Sequence, residues 1–417
     1  MRNHPLRAAL SEEMHLRRLP RFAAPCRLAQ VVTLLGEAGD EARAHLEGLA
    51  AEASVTVAVS GRYAVLGFDE AMLVWERHTE FASYTLMRAG PFGDPFDPDH
   101  FAPLLDRVLA AMPGEVVRAT QIALCPADAA ELGQLDRWFA EDAQIVCDVA
   151  DGLARIASDF RISDERWGRL LVVDRGLARD EVPLLMVRLQ ELGNYRNMAL
   201  LGLPLAQRLT PEVSALEARL AALTREVAER GAEDDALLDE LTFLSAELAR
   251  LAAATRYRMS ATRAYAQLSS DRLDGLGIGA VRGYQSLADF TERRLTPAVR
   301  TCESFAARLE DLSQRVAWTS EVLRTRIDIA LAKQNRDLLG SVDRRARLQL
   351  RLQQTVEGLS VVAISYYLVG LIGYFARGVS GPYYEAATAA AVPVTILVVA
   401  VALRRLRHGA VAHDEAK

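Results

Sequence analysis

The fold of this chain is decided by two apolar stretches near its end, GLSVVAISYYLVGLIGYFA at residues 358–376 and AATAAAVPVTILVVAVAL at residues 386–403. Neither stretch carries an ionised side chain, and at 19 and 18 residues each approaches the roughly 20 apolar residues that cross a bilayer core as a helix. The nine residues between them, RGVSGPYYE, are rich in turn formers. The pattern therefore predicts a C-terminal two-helix transmembrane hairpin.

Arginines flank this hairpin on the sides that face away from the short link. They are Arg344, Arg345, Arg347 and Arg351 before the first stretch, and Arg404, Arg405 and Arg407 after the second. The link itself holds one Arg and one Glu. The positive-inside rule then places both termini, and the bulk of the chain, in the cytoplasm. The expected location is the bacterial cytoplasmic (inner) membrane, with the protein integral to it. The N-terminus has no apolar signal-peptide core, so the hairpin is the expected targeting information.

Composition excludes some classes of partner. Of 417 residues, 25% are charged and 51% are hydrophobic, which is ordinary for a folded protein. The formal net charge of −6 argues against a general nucleic-acid binder. Four scattered cysteines without a Cys-x-x-Cys pair predict reduced thiols rather than a disulfide framework or a zinc site.

Residues 25–203 alternate between period-2 apolar runs and helical stretches, which predicts an α+β cytoplasmic domain behind a polar N-terminal segment at 1–24. Runs rich in Val, Ile, Leu and aromatic residues predict strands at 54–60, 62–68, 72–77, 80–88, 144–149, 153–158 and 169–173. Helical spacing predicts helices at 41–53, 100–112, 127–140 and 180–201. The strands within 54–88 follow one another closely, which favours antiparallel pairing over a doubly wound sheet.

Beyond Pro204 the spacing of apolar residues changes, and a long helical, coiled-coil-like stalk is predicted at 204–355 with a turn near 273–283. The residues of its apolar seam are Leu216, Leu220, Leu223, Val227, Leu237, Leu241, Leu244, Leu248 and Leu251, then Leu309, Leu312, Val316, Thr319 and Leu323. Gly340 is the expected place for a bend or break, and the sequence leaves open whether residues 298–376 form one helix. The hairpin then takes up 356–405, and a cytoplasmic tail follows at 406–417.

The densest group of polar side chains is WERHTEF at residues 75–81. On a strand Glu76, His78 and Glu80 would share one face, where they could hold a divalent ion or transfer a proton. The alternative, which we favour, is a charged solvated face with the aromatic residues in the core, because three residues supply too few ligands for a metal. No catalytic residue and no cofactor can be assigned from the sequence.

The first apolar stretch carries polar and small residues that a plain anchor does not require. Gly370 and Gly373 allow a second helix to approach closely, and the polar groups are Ser365, Tyr366, Tyr367 and Tyr374. These six residues are candidates for a pore lining or an oligomer interface. The alternative is an anchor with ordinary interfacial tyrosines.

Four segments resemble a bacterial family of predicted membrane-anchored proteins that is known only as a domain of unknown function. They are residues 75–81, residues 194–198 (NYRNM), Gln334-Asn335, and residues 347–367 (RLQLRLQQTVEGLSVVAISYY). The resemblance covers essentially the whole chain and implies membrane anchoring without implying an activity.

The order of predicted elements is also similar to that of the CorA-type magnesium transporters, which are pentameric and line their pore with the first span. GYFARG at residues 373–378 stands where those proteins have Gly-Met-Asn, and Arg377 would repel a cation there. The leading hypothesis is a non-enzymatic, homo-oligomeric scaffold or sensor at the membrane, whose ligand or ion is unknown. The alternatives are a CorA-like ion channel and a membrane-tethered metal-dependent enzyme.

Overall fold

The structure is a computed structural model of the 417-residue chain. It describes residues 3–13, 20–36, 38–59, 62–69, 71–127, 132–229, 234–379, 389–402 and 405. The chain divides into two compact units, Met1–Ser320 and Glu321–Lys417. The first unit is an α/β sheet domain with packed helices, and the second contains the rest of a long helix and a shorter apolar helix. The domain boundaries expected from the sequence stay predictions.

One mixed sheet of ten described strands organises the first unit, in the order β10-β7-β8-β9-β6-β1-β5-β4-β3-β2. The strands are β1 (Cys26–Leu34), β2 (Val55–Val59), β3 (Tyr63–Phe68), β4 (Ala71–Arg77), β5 (Phe81–Ala89), β6 (Glu115–Pro126), β7 (Ile145–Val149), β8 (Ala154–Ser158), β9 (Gly168–Asp174) and β10 (Gly279–Ala280). β6 and β9 pair in parallel, and the other paired strands are antiparallel. The predicted antiparallel pairing of the strands within 54–88 is confirmed.

The two strands at the middle of the sheet, β1 and β6, were not predicted from the sequence. β1 lies between β5 and β6, and its first eight residues are all buried. A strand that is buried on both faces lacks the alternation of apolar and polar residues that marks a half-buried strand. The seven predicted strands are present with ends shifted by at most one residue.

The described residues form eight α-helices. They are α1 (Arg7–Glu13), α2 (Gly39–Glu52), α3 (Leu104–Ala110), α4 (Glu181–Leu200), α5 (Gly202–Ala228), α6 (Asp234–Asp274) and α7 (Leu287–Val379), and a last apolar helix, α8, is Ala389–Ala402. α2 and α3 pack on one face around Leu46, Trp75 and Val108, and α4 packs on the other around Met186 and Ile122. The predicted helix at 127–140 is wrong in type: within its described part the structure has a 3-10 helix at Leu132–Arg137.

The leucine seam of the predicted stalk is largely buried in the first unit. Leu220 and Leu223 on α5, Leu244 and Leu248 on α6, and Leu312 on α7 are each at most 3% exposed. Arg308 of α7 donates a hydrogen bond to Glu217 of α5 at 2.6 Å, which joins these two helices across the seam. Coiled-coil geometry itself stays a prediction.

α7 is one helix from Leu287 to Val379, so the break expected at Gly340 is absent. It contains the described segment that is long and apolar enough to cross a membrane, and 6% of that apolar window is buried. The second apolar stretch is described as the shorter helix α8. Residues 380–388, which include most of the predicted link and the start of the second stretch, and residues 403, 404 and 406–417 lie outside the described residues, so the hairpin turn stays a prediction.

Candidate anion-binding pocket

A cavity of about 460 Å³ lies between the sheet and α4 in the first unit. One end of β6, from Val116 to Thr120, forms its floor together with residues of β8 and β9. The aliphatic side chains that line it include Ile156, Leu170, Leu189, Leu192 and Leu287. The pocket is therefore mostly apolar, and its polar side chains determine what it can bind.

Arg118 projects from β6 into this pocket and is held by amide side chains. Its Nη1 donates to Gln30 Oε1 on β1 at 2.5 Å and to Asn194 Oδ1 on α4 at 2.9 Å. Gln30 Nε2 in turn donates to Thr85 Oγ1 on β5 at 3.2 Å. This row of hydrogen bonds crosses three adjacent strands and uses both N–H groups of Nη1. Among the described residues the Nη2 and Nε donors of Arg118 have no acceptor, so they are left for another partner.

Arg196 enters the same pocket from α4, and it is 9% exposed. Its guanidinium lies over the ring of Phe160 at 4.4 Å and near that of Phe290 at 5.6 Å. Within the described part of the chain the guanidinium makes no hydrogen bond to protein, and its buried Nη1 has no acceptor. A buried cation normally has a hydrogen-bonded counter-ion, so this arginine lacks the partner that its burial requires.

The electrostatics of the pocket are uniformly positive. Among the described residues that line the cavity there is no Asp or Glu. Burial, and then the nearby positive charge of Arg196, lowers the pKa of Arg118 to about 9. Burial also lowers the pKa of Arg196 to about 10. Both guanidinium groups remain protonated at neutral pH, so two positive charges share the site without a carboxylate.

Three more arginines stand at the edge of the pocket, and two of them have carboxylate partners. Arg161 pairs with Asp142 at 3.0 Å, and Arg169 pairs with Glu165 at 3.1 Å. The side chain of Arg166 has no hydrogen bond or ion pair to any residue that the structure describes. The edge therefore adds one more uncompensated positive charge to the two inside.

This arrangement is chemically suited to an anion. A guanidinium presents N–H groups in a planar fork that matches the oxygens of a carboxylate or a phosphate. The aliphatic walls favour an apolar group attached to that anion. The described residues contain no group of three or more His, Cys, Asp or Glu that could hold a metal ion.

The predicted metal candidates do not come together as a ligand set. β4 ends at Arg77 and β5 begins at Phe81, so His78 and Glu80 lie in the connection between two strands and not on a strand face with Glu76. His78 Nε2 lies 3.8 Å from Glu76 Oε2, whereas Glu80 is buried and forms an ion pair with Arg258 of α6. The shared strand face expected from the sequence is wrong because the chain turns within the motif.

The pore or interface candidates of the first apolar stretch fall into two groups. Ser365 is buried, and its hydroxyl has no hydrogen-bond partner among the described residues. Tyr366, Tyr367 and Tyr374 are between 71% and 79% exposed. The space beside Gly370 is open, and Gly373 is half-buried. Their role in a pore or an interface stays a prediction.

Arg118 and Arg196 were not singled out from the sequence. They are 78 positions apart, and they meet because β6, the strand that was not predicted, runs beneath α4. The sequence offers one weak indication of this pocket. Residues 194–198, one of the segments that resemble the family, include both Asn194 and Arg196.

Comparison with known proteins identifies a family for nearly the whole chain. A family model described as "Protein of unknown function (DUF3422)" matches residues 2–410. No curated protein matches the chain. The matched range includes the pocket and both apolar helices.

Proposed function

We propose that this chain, which belongs to the family described as DUF3422, is a non-enzymatic, membrane-anchored sensor that binds a small organic anion between Arg118 and Arg196. The observation that carries the proposal is the burial of Arg196 with no acceptor for its Nη1 atom. An unpaired buried charge costs several kcal/mol, and a bound anion would remove that cost. The sequence-based hypothesis of a sensor thereby gains a specific binding site.

The test is binding of hexanoate and hexyl phosphate to the full-length protein in phosphatidylcholine nanodiscs, measured by isothermal titration calorimetry. Arg196→Met keeps a long side chain beside Phe160 but removes the charge, so it should abolish binding of both anions. Arg43→Met is the control, because Arg43 is an exposed residue of α2 whose side chain pairs with Glu47. Undiminished binding by Arg196→Met would contradict the proposal.

Attachment to the bacterial inner membrane is part of the same proposal, with two spans and both termini in the cytoplasm. It is supported by the apolar window of α7, of which 6% is buried, and by the arginines that flank it in the sequence. A large exposed apolar surface is stable in lipid and unfavourable in water. The protein should stay in the membrane fraction after a high-salt wash; recovery in the supernatant would be the contrary result.

The hairpin and a homo-oligomer belong to the proposal as well. Ser365 on α7 and Thr395 and Val399 on α8 are buried within the second unit, which supports packing of these two apolar helices against each other. Self-association is supported by large apolar side chains that are exposed on α7, among them Ile329, Leu331, Leu338, Leu339, Leu348 and Leu352. Native mass spectrometry of the detergent-purified protein should give more than one copy, and a monomer would contradict self-association.

A second candidate function is ion conduction by a CorA-like oligomer. The observation in its favour is that α7 continues without interruption into the apolar window, where Tyr366 and Tyr367 are exposed. The test is ion flux into reconstituted vesicles. If the first span lines a pore, replacing Gly370 with Leu should reduce the flux, and an unchanged flux would count against a pore.

A further inference from the structure

We infer that the anion bound by Arg118 and Arg196 is a phosphate monoester that carries an aliphatic chain. This inference rests on the proposed anion-binding function and specifies its ligand. It is carried by three features of the pocket: the number of uncompensated charges, the hydrogen-bond donors that remain free, and the chemistry of the walls.

The charges favour a dianion over a monoanion. Arg118 and Arg196 bring two positive charges to a cavity whose described lining contains no acidic residue, and the charge of Arg196 disfavours the charged form of Arg118. A phosphate monoester carries about −1.5 to −2 charges at neutral pH, whereas a carboxylate carries one. A phosphate would therefore balance the pair, and a carboxylate would leave a net positive charge buried.

The free donors also match a phosphate. Nη1 of Arg118 is fully used by Gln30 and Asn194, and among the described residues neither its Nη2 and Nε nor the guanidinium of Arg196 has an acceptor. A phosphate presents three terminal oxygens, which can accept from two guanidinium groups at once. A carboxylate has two oxygens, and one planar guanidinium already occupies both of them.

The walls favour an aliphatic chain over an aromatic or polar group. Ile156, Leu170, Leu189 and Leu192 surround the cavity, and Ile162, which is 76% exposed, lies at its edge. Phe160 is the single aromatic residue in the described lining, and its ring already contacts the guanidinium of Arg196. A nucleobase or other ring would therefore find little aromatic surface to stack on.

Two sources could supply such a ligand, a soluble alkyl phosphate or a lipid with a phosphate monoester headgroup. The shared chemistry is the phosphate monoester on an apolar chain, and the sources can be separated experimentally. In nanodiscs doped with phosphatidic acid, a lipid source predicts that hexyl phosphate no longer binds. Unchanged binding of hexyl phosphate in the doped discs identifies a soluble ester. Either result is consistent with the ligand class.

The class itself is tested by calorimetry on full-length protein in phosphatidylcholine nanodiscs, with inorganic phosphate, ethyl, butyl and hexyl phosphate, and hexanoate. Affinity should rise about fourfold for each added methylene, the usual effect of burying one such group. Hexyl phosphate should bind at least about tenfold more tightly than hexanoate, because each hydrogen bond between charged groups contributes about that much.

Two outcomes would overturn the ligand class while leaving an anion site in place. Equal affinities for inorganic phosphate and hexyl phosphate would show that the aliphatic chain does not contribute to binding. Equal affinities for hexanoate and hexyl phosphate would show that the site does not prefer a phosphate. Ile162→Ser gives an independent check, because this exposed residue can change without loss of folding. This substitution should weaken the binding of hexyl phosphate but not that of inorganic phosphate. Failure of every anion to bind would instead overturn the proposed function.

Discussion

A Cβ atom at Gly193 on α4 would lie 2.7 Å from Cζ and Nη2 of Arg118 on β6, so the helix passes this guanidinium with its backbone alone. Glycine is therefore needed at position 193 to leave room for Arg118. It is not needed for the backbone conformation, which is ordinary helical geometry. Any side chain at position 193 must displace the arginine that Gln30 and Asn194 hold in place.

Gly193→Ala should therefore reduce anion binding with little change in stability. Alanine favours a helix over glycine by about 0.5–1 kcal/mol, and this gain offsets much of the cost of disturbing the Arg118 hydrogen bonds. We expect the affinity for hexyl phosphate to fall at least about tenfold, as one charged hydrogen bond contributes that much. Calorimetry measures the affinity, and urea unfolding followed by circular dichroism measures the stability.

Gly48→Ala is the matched control, because Gly48 also lies inside a helix, α2, but no described residue comes within 4 Å of its Cβ position. It should raise the free energy of unfolding by about 0.5–1 kcal/mol and leave anion affinity unchanged. Equal affinities of the Gly193→Ala and Gly48→Ala proteins for hexyl phosphate would show that Arg118 does not need the space beside Gly193.

Glu80→Gln should destabilise the first unit, because Glu80 is 7% exposed and neutralises Arg258, whose side chain is 17% exposed. Removing one member of a buried ion pair leaves the other charge without a partner and costs about 3 kcal/mol. Burial is the main cause of the raised pKa of Tyr265, ahead of the charge of Glu80, and burial persists in the variant, so this tyrosine stays neutral and cannot compensate. The loss is measured as a lower free energy of unfolding in urea.

The control for this variant is Glu47→Gln, which breaks the exposed pair with Arg43, where both side chains are more than 60% exposed. Exposed pairs contribute about 0–1 kcal/mol, so Glu47→Gln should have little effect. A double variant, Glu80→Gln with Arg258→Met, should recover part of the stability because it removes the uncompensated charge. A loss of the same small size in both single variants would refute the structural role of Glu80.

Stability should fall as the pH falls from about 6.5 to about 4, in part because of His100. Burial, and then the charges of Arg27 and Arg88, lowers the pKa of His100 to about 4, while Asp97 opposes the shift. The unfolded chain, where a histidine has its ordinary pKa near 6.5, therefore binds more protons in this window, and proton uptake favours unfolding. Well above pH 6.5 the residue is neutral in both states and contributes no slope.

His100→Gln should flatten the dependence of the free energy of unfolding on pH between about 4 and 6.5, when it is compared with the unaltered protein. The measurement is a series of urea titrations across that range. Carboxylates add their own slope to both proteins, so the difference between the two curves isolates the histidine. Parallel curves would show that His100 is not held neutral in the folded chain.

The four cysteine thiols should be unreactive in the folded protein. All of them are free and buried, and burial raises the pKa of Cys26 to about 12 and the pKa values of Cys125 and Cys147 to about 11. The thiolate is the reacting form, so no colour should develop with Ellman's reagent at pH 8 until urea is added. Ala51→Cys, at an exposed position of α2, should react at once.

Much of the sheet could be predicted from the sequence, but its centre could not. β3, β4 and β5 were recognised because their runs of Val, Leu and aromatic residues are short and separated by turns. β1 reads CRLAQVVTL and is buried on both faces, so neither alternation nor helical spacing marks it. β6 begins with exposed residues and becomes buried from Thr120 onward, which mixes two patterns in one strand.

The pocket could not be predicted, because it depends on which residues the fold brings together. Arg118 and Arg196 are ordinary members of a chain rich in arginine, and only the packing of α4 over β6 places them in one cavity. The polar motif at residues 75–81 could be recognised as a candidate metal site because its residues are adjacent in sequence. Its Glu80 proved to contact Arg258, which is 178 positions away.

The outermost strands of the sheet restrict how copies of this chain could join. At one side the last strand is β10, which has only two residues, and at the other it is β2, whose register shifts between Thr56 and Ala58. A very short or irregular outer strand offers few free N–H and C=O groups in a regular row, so it is a poor template for a strand from another molecule. Edge-to-edge growth of the sheet, the usual route to β-aggregation, is therefore disfavoured, and contacts between copies would have to form through helices.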